Sequence, residues 1–454
     1  RNVPALAGGL EIASGPPAAG AGAGLRAATG GAAISAMSAT SATADVADRP
    51  RRRDQATLAV LHGFVPNEGD AWTYTLDALG RYFERVRTGW GRGDFSRAPV
   101  PSRPLLELAD GAFGATSPPP LASDLYAAAS AASAAGTAGT AGGGRAPASG
   151  PGSGPAPAPG QAPADLAAEL YERIGTYLPT VRLLAERTAE LHIALASAPL
   201  DNAAFAPEPF STLHQRSLYE SMRTAAGRAF QLLRQRAGEL APEARADARV
   251  VLTAQDQVRE RLARLLGPKI AATRIRTHGD YHLGQVLYTG KDFVILDFEG
   301  EPARSLSERR LKRSPLRDVA GMLRSFQYAA YARLFEESAS GIIPAPELPI
   351  FEGWTLYWER WVSAAFLAAY LERTATAGFL PADRAGLAVL LDAYVLEKAV
   401  YELTYELNNR PSWVRIPLAG IRGILGLPGP PAVGAAAADP SAGPGQPPRP
   451  GSRQ

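Results

Sequence analysis

The segment Thr277 to Glu301, THGDYHLGQVLYTGKDFVILDFEGE, gathers groups that can move protons and hold charge. Two of the chain's five histidines, His278 and His282, flank Asp280. Gln285 follows five residues after Asp280, and Asp297 closes the apolar run from Phe293 to Leu296. Asp280 follows a glycine in a turn, where a carboxylate stands clear of the backbone. Asp297 is expected at the end of a buried strand. Two carboxylates at strand ends, with one amide oxygen, suit an octahedral magnesium held by oxygen. Phosphoryl transfer uses such a set: one carboxylate orients the attacking hydroxyl and the others hold metal against the phosphates. The order His-x-Asp-x-x-x-x-Asn followed by Asp-Phe-Gly has the same logic. Here His278-Gly279-Asp280, Gln285 and Asp297-Phe298-Glu299 occupy those places, and the combination is more specific than either half.

Each residue also has a plainer reading. A His-Gly-Asp turn is usually only a turn. A lone aspartate at a strand end is often a helix cap or a hydrogen-bond partner in a core. His282 divides evenly between a satisfied histidine and a site residue. A zinc site on His278 and His282 lacks a third close ligand, and short strands do not set the two rings on one helical face.

The elements that must position these groups are legible from pattern. Residues 5–12 and 56–65 read as strands, the second apolar enough to be buried. NEGDAWTYTLDALGRYFERV reads as a helix with Asp70 as its cap. From Asp165 the pattern is helical, with Leu184, Thr188, Leu191 and Leu195 on one face. Helices over about 212–238 and 242–266 follow, then short strands around the motif, then helices over about 316–337, 350–376 and 383–409. Residues 13–54, 98–163 and 428–454 are rich in Gly, Ala, Ser and Pro and read as disordered insertions and a tail.

Composition narrows the class. The chain has 454 residues, no cysteine, 46% hydrophobic residues and a formal charge of +3. Disulfides and thiolate metal sites are excluded. So small a charge argues against nucleic acid as the main partner. No apolar run reaches the ~18 residues that span a bilayer. No signal peptide is visible, so a cytoplasmic protein is expected. The chain opens at Arg1 rather than Met, which points to a fragment or a processed product.

THGDYHLGQVLYTGKDFVILDFEGEPARSLSERRLKRSPLRDVAGMLRSFQYAA closely resembles the maltokinases, whose fold is kinase-like, as in the aminoglycoside phosphotransferases. TLAVLHGFVPNEGDAWTYTLDAL looks like the family's hinge, and YVLEKAVYELTYELNNRPSWVRIPLAGI is similar to its C-terminal helices. The resemblance implies an α+β, protein-kinase-like fold: a partial N-lobe and hinge over 1–97 and a mostly helical C-lobe over 164–427. It implies transfer of the γ-phosphate of ATP to the anomeric hydroxyl of maltose, giving maltose 1-phosphate for α-glucan (glycogen) synthesis. It implies magnesium, and a trehalose synthase as fused or associated partner. On this resemblance Asp280 is the catalytic base, and Gln285 and Asp297 are the magnesium ligands. Gly63 and Val65 contact the nucleotide, and Arg317 with Asp318 belongs to the SPLRD signature.

Such a kinase needs an early lysine to pair the α- and β-phosphates, and this chain has none before Lys269. The N-lobe is therefore expected to be truncated. GAGAG at 20–24 lies in a low-complexity run and does not replace the phosphate loop. For the sugar, aromatic faces with polar edges are needed. Tyr394, Glu397, Tyr401 and Tyr405 recur at helical spacing; Glu397, Tyr401 and Tyr405, with His282 and Arg317, are the expected substrate contacts. The plainer reading of that stripe is a core-facing face, and of ERRLKRSPLR a solvated run. Two rival functions stand beside maltose phosphorylation. One is a kinase for another small hydroxyl substrate, such as an aminoglycoside. The other is a catalytically silent domain associated with a trehalose synthase.

Overall fold

A computed structural model describes residues 63–113 (apart from 94 and 96) and 166–428, together with the backbone of 6–14, 26–27, 54–62 and 163–165. Its strands are β1 (Leu6–Ser14), β2 (Arg26–Ala27), β3 (Asp54–His62), β4 (Glu208–Pro209), β5 (Thr273–Arg274), β6 (Val286–Tyr288) and β7 (Phe293–Ile295). Its first helices are α1 (Ala71–Gly91), α2 (Leu105–Phe113), α3 (Pro163–Ile174), α4 (Tyr177–Ala196), α5 (Thr212–Arg236), α6 (Pro242–Thr253) and α7 (Gln255–Ala263). Beyond the motif come α8 (Leu306–Arg309), α9 (Leu316–Ala339), α10 (Leu348–Thr374), α11 (Arg384–Asn409) and α12 (Arg415–Leu425).

The chain divides into two units, Arg1–Ala71 with Gly284–Leu296, and Trp72–Leu283 with Asp297–Gln454. The first holds an antiparallel sheet in the order β2-β1-β3 and the β6–β7 hairpin. The hairpin turn is Thr289–Asp292, closed by Thr289 N–H on the Asp292 carbonyl at 2.9 Å, with Gly290 at φ 83°. A positive φ there costs a glycine nothing. Tyr288 exchanges backbone hydrogen bonds with Glu68 and Gly69, which ties the approach to α1 onto the hairpin.

In the second unit α10 is the buried axis. Its apolar residues run all round the helix: Phe351, Trp354, Trp358, Phe366 and Tyr370 are all buried. A helix apolar on every side must be enclosed, and α2, α4 and α9 pack against it. α9 is nearly as buried, and its Arg324 is paired with Glu402 of α11 at 2.7 Å. Asp247 of α6 receives Arg415 at 3.3 Å and also Arg422, both from α12. Lone buried charges would be costly, so these pairs fix how the helices meet.

Several expectations change. The sequence places 98–163 in one disordered insertion, yet Leu105–Phe113 is a helix whose Leu106, Leu108, Ala109 and Ala112 are buried. These four buried apolar residues cover one flank of α10. Residues 114–162 and 429–454, and most of 13–54, lie outside the described residues. The helix after Asp70 belongs to the second unit, and the β6–β7 hairpin to the first, so the unit boundaries are not the expected 97 and 164. The predicted 242–266 helix breaks at Ala254 into α6 and α7. Strand β3 ends at His62, leaving Gly63 and Val65 beyond it. Along α4 the buried face runs through Val181, Leu184, Thr188 and His192, while Leu191 and Leu195 are half-buried. Lys312, expected in a solvated run, is buried against Glu208 at 2.9 Å.

One close approach links helix to loop. A Cβ on Gly321 of α9 would stand 2.5 Å from the Tyr281 carbonyl oxygen. The obstacle is backbone, so the loop would have to move. Gly321→Ala is expected to cost about 1–3 kcal/mol of stability, the usual range for forcing extra atoms into a packed site. Urea unfolding measures this, and an unchanged midpoint would contradict so close a contact.

Candidate active site

The sequence Ser-Pro-Leu-Arg-Asp starts α9. Pro315 sits at φ −60° ahead of the first turn, and Asp318 lies in that turn, fully buried. Its carboxylate does not cap its own helix. Oδ2 accepts the His278 N–H at 2.7 Å, and Oδ1 accepts the Gly279 N–H at 3.0 Å. His192 Nε2 of α4 lies 3.2 Å from Oδ2, and His192 Nδ1 meets the Tyr370 hydroxyl at 2.8 Å. Burial pushes the Asp318 carboxyl up, but His192, His278 and the Gly279 N–H outweigh it and hold it below the ordinary carboxylate range. One ionised group thus binds both backbone donors of the turn.

The turn needs its glycine. Gly279 has φ 89°, and a Cβ there would also come within 3.3 Å of Gly300 Cα. The same loop is held again at Tyr281, whose hydroxyl meets Thr188 at 2.8 Å, and at Leu283, whose N–H donates to Ser325 at 3.1 Å. The His278 ring packs between Tyr281 and Phe298, with ring centres 5.3 Å and 5.1 Å away. The Asp280 N–H lies 3.3 Å from His278 Nδ1. Asp280 itself is half-buried and lines a narrow cleft.

Arg317, Glu397 and Tyr401 line that cleft with Asp280. Tyr405 does not: it is 44% exposed and lies under Arg410, at 5.4 Å. His282 is half-buried and feels Asp280, Asp297, Lys398 and His278. Burial holds its pKa below the usual value although the two aspartates oppose it. That both carboxylates act on one imidazole brings Asp280 and Asp297 into a common neighbourhood. Asp297 is exposed rather than buried, because β7 ends at Ile295 and the aspartate adopts φ 57° beyond it. Aspartate is among the few non-glycine residues that tolerate this region. Gln285, Gly63 and Val65 lie in the first unit. There the Gln285 carbonyl accepts Leu296 N–H at 2.9 Å, and the Val65 carbonyl accepts the Asn67 amide at 2.9 Å.

Two cleft residues escaped the sequence reading, Glu301 and Arg304, as did the part Asp318 plays as a loop anchor; Lys398, offered by the same helix as Glu397 and Tyr401, also lines the cleft. Arg304 donates to Glu301 at 2.6 Å and approaches Glu397 at 3.6 Å. The spacing of Glu301 and Arg304, three apart just after the motif, was the available signal. His192 carried one too, four residues beyond Thr188 on the buried face of α4.

Among the described residues no three His, Asp or Glu side chains form a metal cluster by themselves. Magnesium does not require one, since it commonly takes one or two carboxylates and completes its shell with water and substrate phosphates. The hard-oxygen donor Asp297 fits that habit, with Gln285 in the first unit as the other expected ligand.

Residues 159–300 match the profile of the phosphotransferase enzyme family, a stretch that contains the His278-Gly279-Asp280 turn and Asp297. Over this stretch the chain is similar to that family. A glucosamine kinase of Mycolicibacterium smegmatis is 29% identical over 180 residues, 38% of this chain and 40% of the relative. A glucosamine kinase of Streptacidiphilus jiangxiensis is 29% identical over 154 residues, 33% of this chain and 32% of the relative. The matched part is therefore well under half of either relative. A solved glucosamine kinase in complex with glucosamine, ADP and inorganic phosphate is 21% identical over 55% of each chain, with a TM-score of 0.43. No described helix is long and apolar enough to cross a membrane.

Asp318 yields a pH prediction with a definite sign. Its folded pKa lies below the unfolded value of about 3.9, so the folded state holds the proton less tightly. The resulting stability is present above about pH 4 and is lost as pH falls through the folded pKa. Asp318→Asn keeps the shape but turns an amide N–H toward a backbone donor, and is expected to cost about 1–3 kcal/mol at pH 7. The gap between the two proteins should narrow as pH falls from about 4, the unfolded value, through the lower folded pKa. Denaturant unfolding across that range checks it, and a constant gap would contradict it.

Proposed function

We propose that this chain is an ATP-dependent phosphotransferase acting on a hydroxyl of a small sugar. The observation that carries the proposal is the pinned turn, with Asp280 displayed on a cleft that also presents Arg317, Glu397, Lys398 and Tyr401. Asp280 accepts the proton of the attacking hydroxyl and orients its oxygen. Arg304, Arg317 and Lys398 supply positive charge where negative charge gathers on the transferred group. Tyr401 offers the cleft a ring with a polar edge, a usual device for sugar binding. Asp297 is the proposed magnesium ligand on this unit. A bound magnesium would draw charge from the phosphates and hold them in line. Gly63 and Val65 remain the proposed nucleotide contacts on the first unit.

Two acceptors are in play. The resemblance in sequence motifs favours maltose, phosphorylated at its anomeric hydroxyl, and with it a trehalose synthase partner and glycogen synthesis. The names of the curated relatives favour glucosamine. The deciding assay measures ADP release with magnesium and ATP, supplying maltose, glucosamine or glucose in turn. Sugar-dependent ADP release with a sugar phosphate as product supports the proposal. ADP release that ignores the sugar, or none with any of them, contradicts it.

Two substitutions test the roles. Asp280→Asn cannot accept the proton, so turnover should fall by about 10²–10⁴-fold with sugar binding nearly intact. A variant keeping more than half of the turnover would remove Asp280 from the role of base. Asp297→Ala should weaken the magnesium dependence of nucleotide affinity as well as turnover. A magnesium titration that superimposes on the wild type would leave Asp297 a purely structural turn residue.

A further inference from the structure

Glu301 is 6% exposed, yet it lines the cleft beside Asp280. Its two oxygens have different lives. Oε2 takes Arg304 Nε at 2.6 Å and Arg317 Nη2 at 3.4 Å. Oε1 is buried and meets no donor at full hydrogen-bond geometry among the described residues; the Tyr401 hydroxyl stands beside the carboxylate as its weak neighbour. Burial raises the carboxyl, but the Tyr401 hydroxyl, Arg304 and Lys398 outweigh it and keep it ionised. A buried charged oxygen left without a donor carries a penalty of about 1–3 kcal/mol or more. Folds seldom keep such an atom unless something arrives to satisfy it.

The group that arrives can be specified. An ionised phosphate oxygen has no hydrogen to donate to Oε1, so the visitor is not a phosphate of the nucleotide. It carries an O–H or N–H donor. The two arginines lock the carboxylate through Oε2, so Oε1 cannot swing away to find another partner. It waits in a fixed direction a short way from the proposed base.

Resting on the sugar-kinase reading above, we infer that Glu301 is the residue that selects the acceptor, by taking a hydrogen bond through Oε1 from a hydroxyl or an ammonium group of the sugar. Asp280 handles the hydroxyl that reacts, and Glu301 holds a second group of the same molecule. Two fixed points orient the sugar against the phosphoryl group, which is where much of the rate of such reactions originates. A site built to receive a donor also rejects analogues that lack it, because the buried acceptor is then left unpaired.

The test is steady-state kinetics of the 454-residue chain and its Glu301→Gln and Glu301→Asp variants with glucosamine, glucose, 2-deoxyglucose and maltose. The glutamine keeps the shape and removes the charge; the aspartate keeps the charge and withdraws it from the cleft. For the preferred sugar, both variants should raise KM tenfold or more while the KM for ATP stays within twofold. A larger loss for glucosamine than for glucose or maltose identifies an ammonium donor, and equal losses identify a hydroxyl. If the donor is the 2-hydroxyl, 2-deoxyglucose will show the same KM in all three proteins. Unchanged sugar KM values in variants of an active enzyme would overturn the role of Glu301 and leave the kinase reading standing. A rise in the KM for ATP as large as that for the sugar would also overturn it. A wild-type chain that transfers phosphate to none of these sugars would overturn the kinase reading itself, and the inference with it.

Discussion

The carboxylate of Asp318 is the interaction on which the site depends. A turn that displays an aspartate must leave its own backbone donors behind it, and buried N–H groups without partners are expensive. Here one ionised group from the first turn of α9 takes both, at 2.7 Å and 3.0 Å. Charge-assisted bonds of this kind are the strong ones. They stay strong because Asp318 is sealed between His192, the turn and the body of the unit. The Asp280 side chain can then face the cleft without its backbone being free to wander.

The support reaches well behind the turn. His192 is itself positioned by Tyr370, a residue of the buried axis α10. Thr188, one turn before it on α4, holds Tyr281. Gly321, one turn after Asp318 on α9, leaves room for the Tyr281 carbonyl. The aromatic core around α10 therefore acts on the cleft through two helices, α4 and α9. The charges in front follow a different logic. Glu301, Arg304, Arg317 and Lys398 sit close together at the cleft, opposite in sign and incompletely paired. A structural network would close on itself, whereas Oε1 of Glu301 stays unsatisfied.

Much of this was legible in the sequence, and the exceptions have physical causes. The order His278-Gly279-Asp280, Gln285 and Asp297 pointed to phosphoryl transfer because each residue type fits one step of that chemistry, while the SPLRD run entered through resemblance. The helices α5, α9, α10 and α11 were plain because their apolar residues repeat with helical period. What pattern cannot give is which polar residue meets which. Asp318 reads as an acidic residue in a first helical turn, a place where a negative charge is stabilised by the helix dipole; that it serves a loop forty residues earlier is a tertiary fact. Glu301 looked like the end of a motif and proved to face the cleft. Tyr405 matched the helical spacing of Tyr401, but spacing places residues on a face and does not say where the cleft ends. The helix at 105–113 was hidden by the low-complexity sequence that follows it. Maltose as acceptor rested on motif resemblance alone.

The most direct test of the central claim is amide hydrogen exchange at His278 and Gly279. If the Asp318 carboxylate holds the turn, both amides exchange slowly in the wild-type chain. In Asp318→Ala they should exchange faster by orders of magnitude, while the amides of Trp354 to Tyr370 in α10 keep their protection. Equal protection of His278 and Gly279 in the two proteins would show that the turn stands without Asp318, and would contradict the account.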